Sequence, residues 1–260
     1  MTMTVCSQLK NNLMRSPLRY PGGKYELMNT LLWYLPQNSK HLTLYEPFVG
    51  GGVYFLNTLD NFKYIHINDI DTRVYLFWKY LYNSPNELAS EIRKIKPSKE
   101  FYIQVKNTDI EDSIEYTAKW FVMNRLAFNG NTATGGYSGP SRFTDKCIDY
   151  LEYIGDKIKS YNITITNDHY SKIFMTYNQN GFMYLDPPYS NTKNLYLDHN
   201  NFDHNLFRLV LSTIKIPWVL SYNEEESKNY SNYSVKNVKT LYNGQHIKRP
   251  EIIITNSDHF

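Results

Sequence analysis

Short apolar runs closed by polar residues, glycine or proline recur along the chain. They are rich in β-branched and aromatic residues and too short for typical helices, so they predict buried strands. The runs begin the segments LTLYEPFVGGG and KYIHINDID, and later form NITITN, GFMYLD, PWVLSY and EIIITN. Two strand segments near the start and four in the second half predict an α/β protein with one sheet.

The middle of the chain has a helical pattern. TRVYLFWKYLYN predicts one helix, and SPNELASEIRKI predicts the next, with Ser84 as N-cap, Pro85 at the first helical position and Glu87 completing a capping box. Helical periodicity continues to about Ile158, apart from FNGNTATGGYSGPSRF, whose small and turn-forming residues indicate a loop or hairpin. We therefore expect a mostly helical segment inserted into a sheet domain.

Composition restricts the class of protein. The chain has 260 residues, 42% of them hydrophobic, a net charge of +3 and a pI near 8.6. This balance allows a nucleic-acid partner without requiring one. Cys6 and Cys147 lie too far apart for a metal motif, and no apolar run is long enough to span a membrane or to form a signal peptide. These features predict a soluble, intracellular protein.

Acids and histidines in LDHNNFDHN raise the question of a metal site. Their spacing matches no ligand set that we can justify, so we expect a mobile loop that ends at Asp203, the N-cap of a helix. No metal is predicted.

The segment MYLDPPY ends a strand abruptly. Pro187 and Pro188 cannot donate to a sheet ladder, so Asp186 is predicted to lie at the carboxyl end of its strand. In open α/β sheets this edge is where ligands bind. A carboxylate beside proline carbonyl oxygens forms a group of acceptors, which suits a substrate amine.

A second candidate site follows the first strand. Gly50 and Gly52 in EPFVGGG would let the backbone approach a ligand, and Asp69 follows the next strand, where nucleotide-binding folds place an acid on a ribose. Taken alone, the glycine turn with the following acid does not identify a function. A glycine turn that only allows tight packing, or the nucleotide site of a dehydrogenase, would look the same. A P-loop is excluded at LRYPGGKY, because Leu18 replaces the first glycine and Tyr25 replaces the serine or threonine.

Taken in order, LRYPGGKY, EPFVGGGVYFLNT, INDID and MYLDPPY resemble the Dam-like, D12-class family of DNA adenine N6-methyltransferases. The segments VMNRLAFNG and KRPEIIITN extend the resemblance over nearly the whole chain. It implies a Rossmann-like sheet that uses S-adenosylmethionine. It also implies a catalytic domain formed by residues 1–70 and 160–260, and a target-recognition insertion at 71–159 with a DNA-reading hairpin near 125–143.

The resemblance implies a set of cofactor contacts, and several have alternatives. Lys24 could be a solvated surface lysine. Asp71 competes with Asp69 for the ribose but could cap the next helix, and Asp168 could form a structural Asx turn. The implied cofactor-binding residues are Tyr20, Lys24, Phe48, Gly50, Gly52, Asp69, Asp168 and Asp186.

The D-P-P-Y segment is implied to be catalytic, through Asp186, Pro187, Pro188 and Tyr189. The exocyclic amine of adenine is a poor nucleophile, because its lone pair is delocalised into the ring. Asp186 and the Pro187 carbonyl would accept its two hydrogens while Tyr189 stacks on the base. Because a paired base cannot reach such a pocket, we expect the adenine to be flipped out of double-stranded DNA.

The implied DNA-binding residues are Arg19, Asn124, Arg125, Phe128, Asn129, Tyr137 and Arg142. The additional cations Arg15, Lys248 and Arg249 could be ordinary solubilising charge.

We expect a monomer or a weak dimer. Rival functions are an RNA adenine methyltransferase, a non-catalytic DNA-binding relative and a dehydrogenase, which would leave D-P-P-Y unexplained. A protein-glutamine methyltransferase is disfavoured, because enzymes of that kind usually carry Asn at the position of Asp186.

Overall fold

The computed structural model describes residues 13–189, 202–242 and 245–257. Their strands form one seven-stranded sheet in the order β3-β2-β1-β4-β5-β7-β6. The strands are β1 Thr43–Glu46, β2 Tyr64–Asn68, β3 Ile163–Thr166, β4 Gly181–Leu185, β5 Trp218–Asn223, β6 Ser234–Tyr242 and β7 Gln245–Thr255. The first five strands run parallel, and β7 is antiparallel to both β5 and β6.

The predicted α/β sheet is confirmed, and all six predicted strands are present. The prediction missed β6, which lies at the edge of the sheet and, among the described strands, pairs only with β7. Val235, Val238 and Leu241 recur there at every third residue, a spacing closer to the helical period than to the alternation of a strand. An edge strand also buries less of its surface, so its apolar pattern is weaker.

The helices of the described residues are α1 Met28–Leu31, α2 Val53–Thr58, α3 Thr72–Asn83, α4 Pro85–Arg93, α5 Lys99–Lys106, α6 Ile114–Leu126, α7 Asp145–Ile158, α8 Tyr170–Thr176 and α9 His204–Leu211. Asp71 caps α3 by accepting a bond from the backbone N–H of Arg73, and Asp203 caps α9 as predicted. Pro85 begins α4 as predicted, but the predicted capping box is wrong. Ser84 makes no side-chain capping bond there, because its backbone ends the preceding helix.

Alternate residues of the central strand β4 enter two different hydrophobic cores. Phe182 and Tyr184 pack with α2 and with the helices between β2 and β3, whereas Met183 and Leu185 pack with α8 and α9. The helical segment that was predicted as an insertion therefore shares a continuous core with one face of the sheet. Its role as a separate target-recognition unit remains a prediction.

The segment predicted as a loop or hairpin contains one antiparallel bridge, between Ala127 and Tyr137. Two backbone bonds flank this bridge, from Phe128 N–H to Gly136 and from Ser138 N–H to Leu126. Short 3-10 turns at Phe128–Gly130 and Pro140–Arg142 complete the segment.

No helix in the described ranges is long and apolar enough to cross a membrane. The described residues also contain no group of three or more His, Cys, Asp or Glu side chains arranged to hold a metal.

Cys147 is a free cysteine. Cys6, most of the LDHNNFDHN loop and the side chains of Lys248 and Arg249 lie outside what the structure describes.

Candidate functional site

A cavity of about 530 Å³ opens where the carboxyl ends of β1, β2 and β4 meet. Because these parallel strands are neighbours, the residues that follow them reach the same edge. A cavity of this size suits a small-molecule ligand. Its lining includes nine of the predicted site residues: Tyr20, Lys24, Phe48, Gly50, Gly52, Asp69, Asp168, Asp186 and Pro188.

The glycine turn after β1 forms one wall. Gly50 has φ +44°, and a Cβ at this position would lie 2.6 Å from the Tyr20 ring. Gly52, with φ +68°, is the N-cap residue of α2, and a Cβ there would lie 2.4 Å from Phe55. Trp78 fixes the turn by donating to the Gly50 carbonyl at 3.0 Å. Only glycine permits both the backbone conformation and this close packing.

Asp69 is almost fully buried beside this turn. One carboxylate oxygen accepts from Gly50 N–H at 2.8 Å, and the other accepts from Asp71 N–H at 3.0 Å. Burial, reinforced by the charge of Asp71, raises the pKa of Asp69 to about 7. The side chain thus braces the glycine turn while it faces the cavity, where its carboxylate can also accept from a ligand. Asp71 is instead committed to capping α3 and pairing with Arg73.

Lys24 is buried, so its interpretation as a solvated surface lysine is wrong. Its Nζ lies 2.8 Å from Oδ1 of Asp186 and donates to the Gly22 carbonyl at 2.7 Å. Burial raises the pKa of Asp186 to about 6, while the charge of Lys24 opposes that rise. The carboxylate at the end of β4 is therefore largely ionised at neutral pH, although it is surrounded by protein.

Glu46, the last residue of β1, was missed as a site residue. It lines the cavity, is 2% exposed and accepts from Phe55 N–H at 3.0 Å. Burial raises its pKa well above the ordinary value, and the charges of Asp186 and Asp69 add to this. The acid in EPFVGGG was visible in the sequence, but its place in the same cavity as the other two acids depends on the pairing of β1 with β2 and β4.

Aromatic rings line the far side of the cavity. Phe48 packs against Tyr170 and Phe202, with ring centroids 5.4 Å and 5.9 Å away. Asp168 lies beside them, and its carboxylate accepts from Lys172 Nζ at 2.9 Å. This ion pair replaces the Asx turn that was the alternative for Asp168. Asn68 was not predicted as a site residue. Its side-chain Nδ2 donates to the Asp168 carbonyl, and its Oδ1 accepts from the Asp168 N–H.

Pro187 and Tyr189 lie outside the set of residues that line the cavity. Pro187 is buried, and the Tyr189 ring lies on Lys24, with Nζ 4.8 Å from the ring centroid. Tyr189 also packs edge-on against Tyr222, with centroids 5.4 Å apart. Asp186 is therefore adjacent both to the cavity and to the Tyr189 ring.

The predicted DNA contact of Asn124 is replaced by a structural role. Asn124 is 1% exposed, and its amide bonds the backbone of Arg19 twice, at 2.8 and 3.0 Å, and the Gly130 carbonyl at 3.0 Å. It joins the segment before the PGGK motif to the start of the predicted hairpin. A side chain with all of these bonds satisfied inside the protein is not placed to contact DNA.

Arg19, Arg125 and Arg142 gather beside the hairpin, and none of them forms an ion pair within the described part of the chain. Arg19 Nη1 donates to the carbonyls of Arg125 and Ala127, and Arg125 Nε donates to the Arg142 carbonyl. Burial and the two neighbouring guanidinium groups lower the pKa of Arg19. The cluster is held by backbone carbonyls, and among the described residues no acid pairs with its positive charge.

The other predicted DNA-binding residues differ in exposure. Phe128 is 63% exposed, and Asn129 beside it has φ 52°. Tyr137 is half-buried against Tyr102, with ring centroids 5.7 Å apart. The hairpin thus presents a large apolar side chain directly after the bridge residue Ala127, whose carbonyl accepts from Arg19.

Comparison with known proteins adds independent evidence. A family model described as "D12 class N6 adenine-specific DNA methyltransferase" matches residues 20–255. Type II methyltransferase M1.LlaDCHI of Lactococcus lactis subsp. cremoris is 26% identical over 199 residues, which are 69% of this chain and 68% of that protein. Type II methyltransferase M.MjaIII of Methanocaldococcus jannaschii is 25% identical over 219 residues, 72% of this chain and 74% of that protein. A DNA adenine methylase of Vibrio cholerae is 28% identical over 188 residues, 68% of this chain and 65% of that protein.

Proposed function

Because the chain belongs to the D12 class of N6 adenine-specific DNA methyltransferases, we propose that it methylates an adenine flipped out of double-stranded DNA, using S-adenosylmethionine. The family match confirms the predicted reaction class. The cofactor, the flipped base and the role of each residue are the parts that we propose.

The cavity suits this cofactor chemically. When bound, S-adenosylmethionine supplies an electrophilic methyl group on a positively charged sulfur. Asp186 would favour the cationic sulfonium and ammonium groups, and a bound cation would in turn promote ionisation of Glu46 and Asp69, whose pKa values are raised by burial in the same cavity. Asp69 would accept from ribose hydroxyls, and the Phe48 ring would pack on the adenine moiety near Asp168.

Asp186 is the proposed acceptor for the substrate's amino group. A carboxylate that takes a hydrogen bond from N6 concentrates electron density on that nitrogen and stabilises its tetrahedral form as the new bond develops. Lys24 holds one oxygen of Asp186 at 2.8 Å and keeps the group ionised against its burial. The Pro187 carbonyl would accept the second hydrogen of the amine.

Tyr189 is the proposed stacking surface for the flipped base. Its ring is fixed by Lys24 on one side and by Tyr222 at its edge. Stacking and hydrogen bonds would offset the few kcal/mol needed to unpair and extrude the base.

The hairpin is the proposed DNA-reading element. The arginine cluster would contact phosphates or guanine edges, and the exposed Phe128 would fill the space that the flipped base leaves. The helical segment between β2 and β3 would then serve as the target-recognition unit.

The observation that carries the proposal is the Asp186 carboxylate, paired with Lys24 at 2.8 Å and placed between the cavity and the Tyr189 ring. The direct test incubates the protein with methyl-labelled cofactor and with duplex DNA, RNA or protein. We expect label in duplex DNA as N6-methyladenine, and none with the Asp186→Ala variant. Label in RNA alone would support the RNA rival, and no label in any substrate would support the non-catalytic rival.

A further inference from the structure

The hydroxyl group of Tyr189 is shared between two carboxylates. It donates to Oε2 of Glu251 at 3.3 Å. A hydrogen bond from the same side chain to Asp186 lowers the pKa of Asp186. A phenol has one proton to donate, so it serves one strong acceptor at a time. Glu251 and Asp186 therefore compete for it.

Glu251 reaches this position through the sheet. It lies on β7, opposite Asn223 at the end of β5, and β5 is the neighbour of β4, which carries Asp186. The charge of Glu251 raises the pKa of Asp186, as expected of two acids within electrostatic range. The Tyr189 ring is packed in place, so the choice between the acids depends mainly on where its hydroxyl points.

We propose that Glu251 is a positioning residue that accepts the Tyr189 hydroxyl and so leaves Asp186 available to the amino group of the target adenine. This inference rests on the proposed function, in which Asp186 accepts from N6. One oxygen of Asp186 already accepts from Lys24 at 2.8 Å. If Tyr189 donated to Asp186 as well, it would occupy the acceptor that the substrate needs.

The Tyr189 to Glu251 bond is 3.3 Å long, which is longer than the usual O–H···O bond. The hydroxyl is therefore not committed to Glu251 in the free protein, and its proton can turn to either acid. An adenine amine bonded to Asp186 would occupy that acceptor, so the proton would turn to Glu251.

The test compares Glu251→Ala, Tyr189→Phe and the double variant, with PCR-amplified duplex DNA as the unmethylated substrate. We expect Glu251→Ala to lower kcat by about tenfold or more while KM for DNA changes little, because the released hydroxyl turns to Asp186. Tyr189→Phe keeps the stacking ring and removes the competing donor. The double variant should therefore be faster than Glu251→Ala, which a structural defect would not produce.

Two further variants control for folding. Glu251→Gln keeps the side-chain length but offers a neutral acceptor, so it should lower kcat in the same direction by less. Glu224→Ala removes an exposed acid nearby and should behave like the unmodified enzyme.

A double variant as slow as Glu251→Ala, or Glu251→Ala with unchanged kcat, would overturn the inference. Absence of methyl transfer by the unmodified protein would instead contradict the proposed function. In that case, the contact can still be tested by thermal unfolding of the unmodified protein, the two single variants Glu251→Ala and Tyr189→Phe, and the double variant. Additive effects of the two substitutions would show that Tyr189 and Glu251 do not interact.

Discussion

The ammonium nitrogen of Lys24 lies 2.8 Å from Oδ1 of Asp186, and the lysine side chain is 5% exposed against 22% for the aspartate. The first residue comes from the PGGK motif near the start of the chain and the second from the D-P-P-Y motif. The pair therefore joins two motifs that the sequence shows only as separate signals. Removing either partner would leave a poorly solvated charge.

Lys24→Met should shift the pH profile of methyl transfer. Asp186 accepts hydrogen bonds best when ionised, so activity should fall as the pH drops through its pKa, about 6. Lys24 lowers that pKa, so removing its charge raises the pKa and moves the acid limb of the kcat/KM profile, which reports the free enzyme, to higher pH. Kinetics between pH 5 and pH 9 would measure the shift, with the exposed Lys159→Met as control. An unmoved acid limb would contradict the role of the pair.

Asp186→Ala should abolish methyl transfer while changing cofactor affinity only modestly, because the carboxylate acts mainly on the base. Asp186→Asn is the sharper test, since it keeps one acceptor oxygen but turns an NH₂ group toward the substrate amine or toward Lys24. Single-turnover kinetics and calorimetric cofactor binding separate the two effects. Turnover near that of the unmodified protein in Asp186→Asn would exclude the proposed role.

At pH 8 or above, where Asp69 with its pKa of about 7 is ionised, Asp69→Ala should weaken cofactor binding by roughly 1.5–3 kcal/mol, the contribution of a hydrogen bond to a charged group. The same change removes the acceptor for Gly50 N–H, so the thermal stability of the folded protein should also fall.

Asp71→Ala is the matched control for this prediction, because Asp71 was the alternative ribose ligand. It should cost at least about 1 kcal/mol of stability, because it removes both the cap of α3 and the partner of Arg73, with cofactor affinity nearly unchanged. If calorimetry finds that Asp71→Ala weakens cofactor binding more than Asp69→Ala does, Asp71 and not Asp69 is the ribose ligand.

The positions of basic residues in the hairpin predict which DNA sequence the enzyme methylates. Relatives that methylate GATC commonly carry a leucine and then an arginine after the F-N-G-like step, whereas no basic residue lies between Gly130 and Arg142 here. An arginine fork on guanine contributes roughly 1–3 kcal/mol of discrimination. We therefore expect a short site other than GATC, or GATC read with low stringency, with Arg142 as the available substitute for the missing arginine.

Single-molecule sequencing of DNA treated with the purified protein would identify the site, and Arg142→Ala should relax it. Arg142 is exposed at the end of the hairpin, so this change should leave the fold intact. If the protein methylates GATC stringently and Arg142→Ala does not change this, the predicted role of the hairpin in recognition is wrong.

The sequence by itself determined the main strands, the helical middle segment and the order of the motifs. Buried parallel strands appear as short apolar runs, and diproline stops and glycine turns act locally, so Asp186 and Gly50 could be placed at strand ends without coordinates. Asp71 and Asp203 were found as caps for the same reason. A cap depends mainly on the neighbouring residues, but the capping box predicted at Ser84 failed because the backbone of that residue ends the preceding helix.

Only the tertiary structure decided which residues meet. The pairing of β1 with β4 and β2 brings Glu46 to Asp186 and Asp69, and the return of β7 beside β5 places Glu251 at Tyr189. These contacts join residues that are distant in the chain, and no local pattern encodes them. The burial of Asn124 and the edge strand β6 were hidden for a related reason: exposure and pairing are set by the neighbours that the fold supplies.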